Sequence, residues 1–465
     1  MIIVLPGEST SNQKSATILK KLIKILIWFI SILAVLAISL LTLTDNTPIE
    51  ETDYYAKTKS RLSKLKINGG YGTGLKGGWS KESIQTNAET YIAGYGLREN
   101  PASSVHDSIF VRAVVLDNGR QKVAMITMDL LIAPPLVVEQ VIPALGKMGF
   151  GRESIYFSAT HTHSSAGGWA GGPAGRAMAG PKNEEMIQSI AGAIVRSVKK
   201  AEVSAADCKI GFQKLNAGEY ITNRLFGESA LEDPWLRIMK IEKVNQESAV
   251  VLTYAAHPTD IPKADNRISA DYPGMLVSNL EQSGVYQFAA FFAGAVGSMR
   301  PEDNGQDAYK KAELIASNLA NLILTGRSSL KTDTTSLIRS TYIPLTLHEP
   351  QLRLSKHIRI RPWVFNWLMG EQEVGMNALR IGDMVWIGTP CDYSGMLYHS
   401  SDEVAQKMGK DLIITSFNGG YVGYITPDQY YDEHKMETQE MNWFGPYNGR
   451  YFGEVIDGLV LGMGR

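Results

Sequence analysis

Apolar runs of strand length recur along the chain beyond Ile67, and each ends in polar, chemistry-bearing residues. SIFVRAVVLD, KVAMITMD, SIYFSAT, AVVLTYAA, QFAAFFA, DMVWIGTP and DLIITSF have the composition of strands, whereas residues 134–148, 183–202, 306–326 and 396–408 carry helical patterns. The alternation predicts an α/β fold of mixed β-sheets flanked by helices. SIYFSAT runs into His161, Thr162, His163, Ser164 and Ser165, and AVVLTYAA into His257. QFAAFFA leads to Gly294 through Arg300, DMVWIGTP to Cys391 and Asp392, and DLIITSF to Asn418, Gly419 and Gly420. Ligand sites in open α/β sheets lie outside the carboxyl ends of strands, which is where these clusters fall.

The N-terminus constrains the chain differently. Lys14, Lys20, Lys21 and Lys24 precede an apolar stretch from Ile25 to Leu43, and Asp45, Glu50, Glu51 and Asp53 follow it. About 20 apolar residues cross a bilayer core, more than a signal-peptide core contains, and AISLLTLTDN offers no small-x-small cleavage site. The expectation is a cytoplasmic segment at 1–24 and a transmembrane signal anchor at 25–44. A linker at 45–66 and one domain over 67–465 follow, on the periplasmic or extracellular side by the positive-inside rule. The 465 residues are 44% apolar and 20% charged with a net charge of −1, which argues against nucleic acid as a partner and against a disordered, fibrous or multi-span chain. Cys208 and Cys391 are too few for a disulfide framework.

Of only eight histidines, His161, His163 and His257 directly follow strand-like runs. Imidazole is the commonest zinc ligand, a catalytic zinc takes three protein ligands and a water, and Asp392 could complete such a set. In an extended segment the i, i+2 spacing of HTH puts both rings on one face. The plainer alternative is that each histidine caps a strand or bonds a backbone carbonyl. Gly-rich GGWAGGPAG follows HTHSS, as either a close-approach loop for a ligand or a flexible connection. Asp260 and Asp271 lie within fifteen residues of His257, and Asp129 ends its strand either as a partner of a metal ligand or as a cap.

GYG, VHDSIFVRAVVL, MITMDL, SATHTHSSAGG, TNR, AAHPTD, ISADYPG, AAFFAGAVGSMRP, IGTPCDYSG, FNGGYVGYIT and WFGP resemble, in that order, the catalytic domain of the neutral/alkaline ceramidases. The resemblance covers about Ile67 to the C-terminus. It implies one zinc ion and an amidase in which activated water attacks the amide of an N-acyl sphingoid base. Carried over by position, it implies zinc ligands His161, His257, Asp392 and Tyr424, with His163 in the site but off the metal and Arg224 lining it; Tyr424 either closes the metal shell or, off the metal, donates to the oxyanion. Asp392 stands where the family usually has Glu, and Arg300 in GSMRP stands where it has Ser. Either Ser298 presents its hydroxyl on the same face, or Arg300 holds an anionic substrate group or an oxyanion, or pairs with a nearby carboxylate. An immunoglobulin-like C-terminal domain found in many members is not expected here.

Residues 353–369 interleave Arg353, Lys356, Arg359 and Arg361 with Trp363, Phe365, Trp367 and Met369. Basic residues beside Trp and Phe suit a membrane interface, and burial in the core is the alternative. The combined expectation is a membrane-anchored zinc amide hydrolase of a ceramide or ceramide-like lipid. The competing possibilities are a zinc hydrolase of another, anionic envelope amide or ester, and a noncatalytic lipid- or partner-binding protein.

Overall fold

The structure is a computed structural model that describes residues 9–227, 230–303, 305, 307–371 and 373–465. Two sheets carry the fold. The eight-stranded sheet runs, from edge to edge, through Phe288–Ala293, Ser248–Tyr254, Trp235–Lys243, Ala206–Asn216, Lys76–Ser83, Phe110–Asp117, Lys122–Met128 and Ile155–Phe157. The five-stranded sheet runs through Asn68–Tyr71, Leu337–Pro344, Gly375–Ile381, Met384–Gly388 and Asp411–Thr415.

Strand alternation shows how they stack. In Phe110–Asp117, Val114 and Leu116 join Ile338, Leu379, Trp386 and Ile413 of the other sheet in one buried cluster. Val111, Ala113 and Val115 point the opposite way, into the larger helix-lined core. A period of two thus gives the strand two buried faces, one against a sheet and one against helices. The helix Glu184–Val203 covers the latter face, its start fixed by the Asn183 side chain accepting from Met186 N at 3.1 Å. Asp271–Gln282 and Ala308–Gly326 pack on each other near the opposite edge, and Tyr398–Lys407 and Asn448–Gly464 cover the five-stranded sheet.

Within these two sheets neighbouring strands are antiparallel, with three exceptions. Lys122–Met128 pairs in parallel with Ile155–Phe157, Ser248–Tyr254 with Phe288–Ala293, and Met384–Gly388 with Asp411–Thr415. Their carboxyl ends are tied to one another beyond the sheets. Ala293 N donates to Ala159 O, Ser416 N to Ala293 O, and Thr389 N to Thr415 O, at 2.8–3.1 Å. The polar clusters read from the sequence therefore emerge at one junction between the two sheets.

The N-terminal segment is helical and then joins the body. The N-terminal helix spans Ser9–Leu40, with an apolar stretch Ser15–Leu40 that is exposed along its length. Its 26 residues extend about 39 Å, long enough for a bilayer core. Leu41–Leu43, inside the expected span of 25–44, forms an antiparallel strand on Ile358–Ile360. Arg361 secures that transition, donating from its backbone N to Leu40 O and from its guanidinium to Ile38 O. Residues 45–66 are folded against the body and are no free linker. Tyr54, Tyr55 and Thr58 of helix Asp53–Ser63 are buried, and the Thr58 hydroxyl lies 2.8 Å from that of Tyr451. The aromatic pair anchors a helix whose remaining sequence is polar enough to have passed for a connector.

Candidate metal centre

His161, His163 and His257 converge where the two sheets meet, and among the described residues they form a group able to bind a metal ion. His257 Nε2 lies 3.0 Å from both His161 Nε2 and His163 Nε2, and the latter two are 3.3 Å apart. Nitrogens bound about 2.0–2.1 Å from a tetrahedral zinc would be separated by about 3.3 Å. The fourth component is Asp392, fully buried, whose Oδ1 sits 3.2 Å from His161 Nε2 and 3.9 Å from His257 Nδ1.

Hydrogen bonding at the far side of each ring decides what that convergence means. His161 Nδ1 lies 2.5 Å from Leu131 O and His257 Nδ1 3.3 Å from Val296 O. A carbonyl can only accept, so each Nδ1 carries a proton, and in the neutral form that metal binding requires each ring turns an Nε2 lone pair toward the other. Two lone pairs at 3.0 Å have no proton between them to share, and Asp392 Oδ1 beside them is a buried acceptor with no hydrogen-bond donor. A cation satisfies all three atoms, so the donor set fits a metal. His163 differs: its Nδ1 is buried without a partner, so nothing fixes its tautomer.

The backbone is bent to achieve this. His161 has φ +67° and Phe417 φ +66°, and their rings stack at 4.0 Å. Non-glycine residues in the left-handed region are uncommon, and strain of this kind concentrates at functional sites. Gly94, at φ +96°, lets the chain pass His163 where a Cβ would come within 2.9 Å of Nδ1, and the Tyr95 ring packs 4.8 Å from that imidazole. Burial first, with the other imidazoles and Arg224 behind it, holds His163 and His257 well below the ordinary histidine range. Both are therefore neutral, as metal ligands or bases must be.

Tyr424 and Arg224 complete one wall. Arg224 Nη2 donates to Tyr424 Oη at 3.0 Å and to Gly297 O at 3.1 Å, while Nε pairs with Glu437 at 3.1 Å. Burial, then the charge of Asp392, raises the Tyr424 hydroxyl above the ordinary tyrosine range. Its ring centroid is 6.5 Å from that of His257.

The remaining sequence candidates separate. Ser298 is buried, in a turn, with its hydroxyl accepting from Ser394 Oγ at 2.8 Å. Arg300, on the short strand Met299–Pro301, is exposed. The two do not share a face, contrary to expectation, because the extended segment starts only after Ser298. Among the described residues no carboxylate lies within ion-pair distance of Arg300. Asp129 braces a strand end by accepting from Phe110 N at 2.9 Å, and Asp271 accepts from Tyr272 N and Ile261 N, so neither joins the histidines. Cys391 is a buried free thiol.

Sequence reasoning missed Tyr421, whose hydroxyl donates to Asp392 Oδ2 at 2.7 Å, and Glu437, which holds Arg224. Tyr421 stands in the same FNGGYVGY run as Tyr424, so its spacing was a usable signal. Glu437 lies in a polar stretch, METQE, that forms a π-helix turn and carried no signal at all.

Comparison with known proteins places these features in context. A family model described as neutral/alkaline non-lysosomal ceramidase, N-terminal, matches residues 81–316. That interval contains His161, His163, Arg224 and His257 and ends before Asp392 and Tyr424. A neutral ceramidase of Mycobacterium tuberculosis is 23% identical over 249 residues, 47% of this chain and 39% of that protein. The chain thus matches well under half the length of that curated relative. The crystal structure of neutral ceramidase from Pseudomonas aeruginosa is similar with a TM-score of 0.73 at 15% identity, covering 84% of this chain and 74% of that one. A ceramidase structure complexed with C2 gives 0.74 at 16% identity, covering 83% and 75%. At such identities the likeness shows the fold.

Proposed function

Because the chain belongs to the neutral/alkaline non-lysosomal ceramidase family, we propose that it is a membrane-anchored zinc hydrolase that cleaves the amide bond of a ceramide or ceramide-like N-acyl lipid. The observation that carries this is the meeting of two Nε2 lone pairs and an orphaned Asp392 oxygen in a buried site. His161, His257 and Asp392 would hold the ion. A bound zinc supplies a water acidified to a pKa of about 7 and polarisation of the amide carbonyl.

The other groups handle protons and orientation. His163 is neutral, unfixed at Nδ1 and within 3.3 Å of both other imidazoles, so it suits taking a proton from the attacking water and giving it to the departing amine. Tyr424 Oη accepts from Arg224, which leaves its own hydrogen to be donated to the oxygen that becomes negative as the amide carbon turns tetrahedral. Arg224 is tethered by Glu437 and Gly297 O and keeps that hydroxyl in place. The helix Ser15–Leu40 would cross the membrane, leaving the enzymatic body on the non-cytoplasmic side.

The test is product analysis with the full chain in lipid nanodiscs, presenting ceramides alongside ester lipids of matched acyl chains. Free sphingoid base and fatty acid from the former, at rates well above those on the esters, support the proposal. Ester cleavage alone would refute the amide assignment.

One observation favours a second substrate class. Arg300 is exposed, without an ion pair among the described residues, on the strand that pairs with Ile221–Asn223 next to Arg224. A guanidinium so placed suits an anionic group on the substrate. Under that alternative, Arg300→Ser lowers turnover of an anionic N-acyl lipid and raises that of neutral ceramide. No change on either would remove Arg300 from substrate selection.

A further inference from the structure

The segment 353–369 is divided by the fold into an inner and an outer face. Arg353 and Arg359 are buried, the former donating to Tyr431 O and Thr438 O, the latter to Leu43 O and Pro350 O. Phe365 is fully buried against Trp443 and Phe444. Trp363 and Trp367, one turn apart on the helix Pro362–Met369, face outward at 56% and 67% exposure. Leu354 and Ile358 on the adjoining hairpin and Leu43 on the strand paired with it are exposed as well, with Lys356 beside them.

Two large aromatics on one helical face are costly to leave in water, and soluble proteins rarely gather such patches without a partner. The partner follows from what the patch is attached to. Arg361, immediately before this helix, bonds the last turn of the apolar N-terminal helix through Ile38 O and Leu40 O. The tryptophans therefore sit a few residues from the point where a membrane-spanning helix would leave the hydrocarbon. Trp is enriched at that depth, where an apolar ring with one N–H donor meets headgroups.

We infer that the helix Pro362–Met369 and the Arg353–Ile360 hairpin dock into the interface of the bilayer that holds the N-terminal helix, with Trp363 and Trp367 as the inserted side chains. This rests on the membrane anchoring proposed above. Docking would hold the catalytic body flat on the membrane. The docking helix also packs against Gly172–Ala179, the helix that continues the glycine-rich loop after His161 and His163. The metal centre and the lipid surface are thus joined by a short, direct path of structure.

The experiment uses the full chain in liposomes, with single substitutions Trp28→Cys, Trp363→Cys, Trp367→Cys and Val244→Cys. Each is labelled with an environment-sensitive fluorophore and exposed to lipids bearing nitroxide quenchers just below the headgroup. Cys208 and Cys391 are buried and do not compete for label, and Val244 is a 76% exposed position on the turn after Trp235–Lys243. The expected result is quenching at 363 and 367 at least threefold stronger than at 244. Quenching at 363 and 367 equal to that at 244 overturns the docking inference, whatever position 28 shows. Absence of lipid contact at 28 alone strikes the anchoring proposal and leaves surface docking standing.

Discussion

Asp392 and Tyr424 occupy the same register position on two short parallel strands, Asp392–Tyr393 and Tyr424–Ile425. Each is pinned from behind: the Tyr421 hydroxyl donates to Asp392 Oδ2 at 2.7 Å, and Arg224 donates to Tyr424 Oη at 3.0 Å. The pairing presents a carboxylate and a phenol to the histidines from a single piece of backbone. Groups that orient a metal ligand are typically worth 10–100-fold in metal affinity. Tyr421→Phe should therefore weaken zinc binding by about 10–100-fold in competition with a chelating dye, and Asp392→Asn by more. Unchanged affinity in both variants would show that Asp392 does not ligate.

Tyr424→Phe separates ligand from donor. If the hydroxyl donates to the developing oxyanion, the variant keeps zinc while kcat falls by about 10²–10³. Loss of zinc in parallel with activity would assign Tyr424 to the metal.

Glu437 holds Arg224 by an ion pair at 3.1 Å, so its removal should be felt chiefly as misplacement of Tyr424. Glu437→Gln is expected to lower kcat on the order of tenfold with little change in KM. Combined with Tyr424→Phe, its further effect should largely vanish, as coupled residues are non-additive. An equal loss in both backgrounds would make Glu437 a structural residue.

Most of the fold was legible because its strands are continuous apolar runs. Phe110–Asp117, Lys122–Met128, Ser248–Tyr254, Phe288–Ala293, Met384–Gly388 and Asp411–Thr415 all fall where the sequence placed strands, with helices Pro135–Lys147, Glu184–Val203, Ala308–Gly326 and Tyr398–Lys407 between them. Lys76–Ser83 and Ala206–Asn216 went unread: KGGWSKES and ADCKIGFQKLN mix charge and glycine, and their strand character comes from pairing with neighbours. The histidines and Asp392 stood out because each directly follows an apolar strand. Arg224 and Tyr424 were suggested only by resemblance, since TNR and GYIT carry no periodic signal. Phe365 and Trp363 could not be told apart in sequence, because both lie in one short amphipathic helix and only its packing on Trp443 decides which faces inward.

Asp129 offers a test by pH that does not involve the metal. Burial lifts its carboxyl to about 6 from 3.8, against the opposing pull of Arg112 and the Phe110 N–H. The folded state thus binds this proton more tightly than the unfolded state, so its contribution to stability is present below about pH 4 and is lost as pH rises through 6. The difference corresponds to about 3 kcal/mol. Asp129→Asn keeps an oxygen for Phe110 N and removes the titration. Thermal unfolding of the two proteins from pH 4 to pH 7 should show the variant gaining on the wild type as pH rises, and parallel curves would refute the buried-carboxyl account.

The most direct test of the central claim is zinc content measured together with ceramide hydrolysis, on the full chain in nanodiscs, for wild type and His161→Ala. The account predicts close to one zinc per wild-type chain with turnover, and loss of both in the variant. Wild-type protein that hydrolyses ceramide equally well after complete removal of metal, or a His161→Ala variant that retains zinc and full activity, would contradict it.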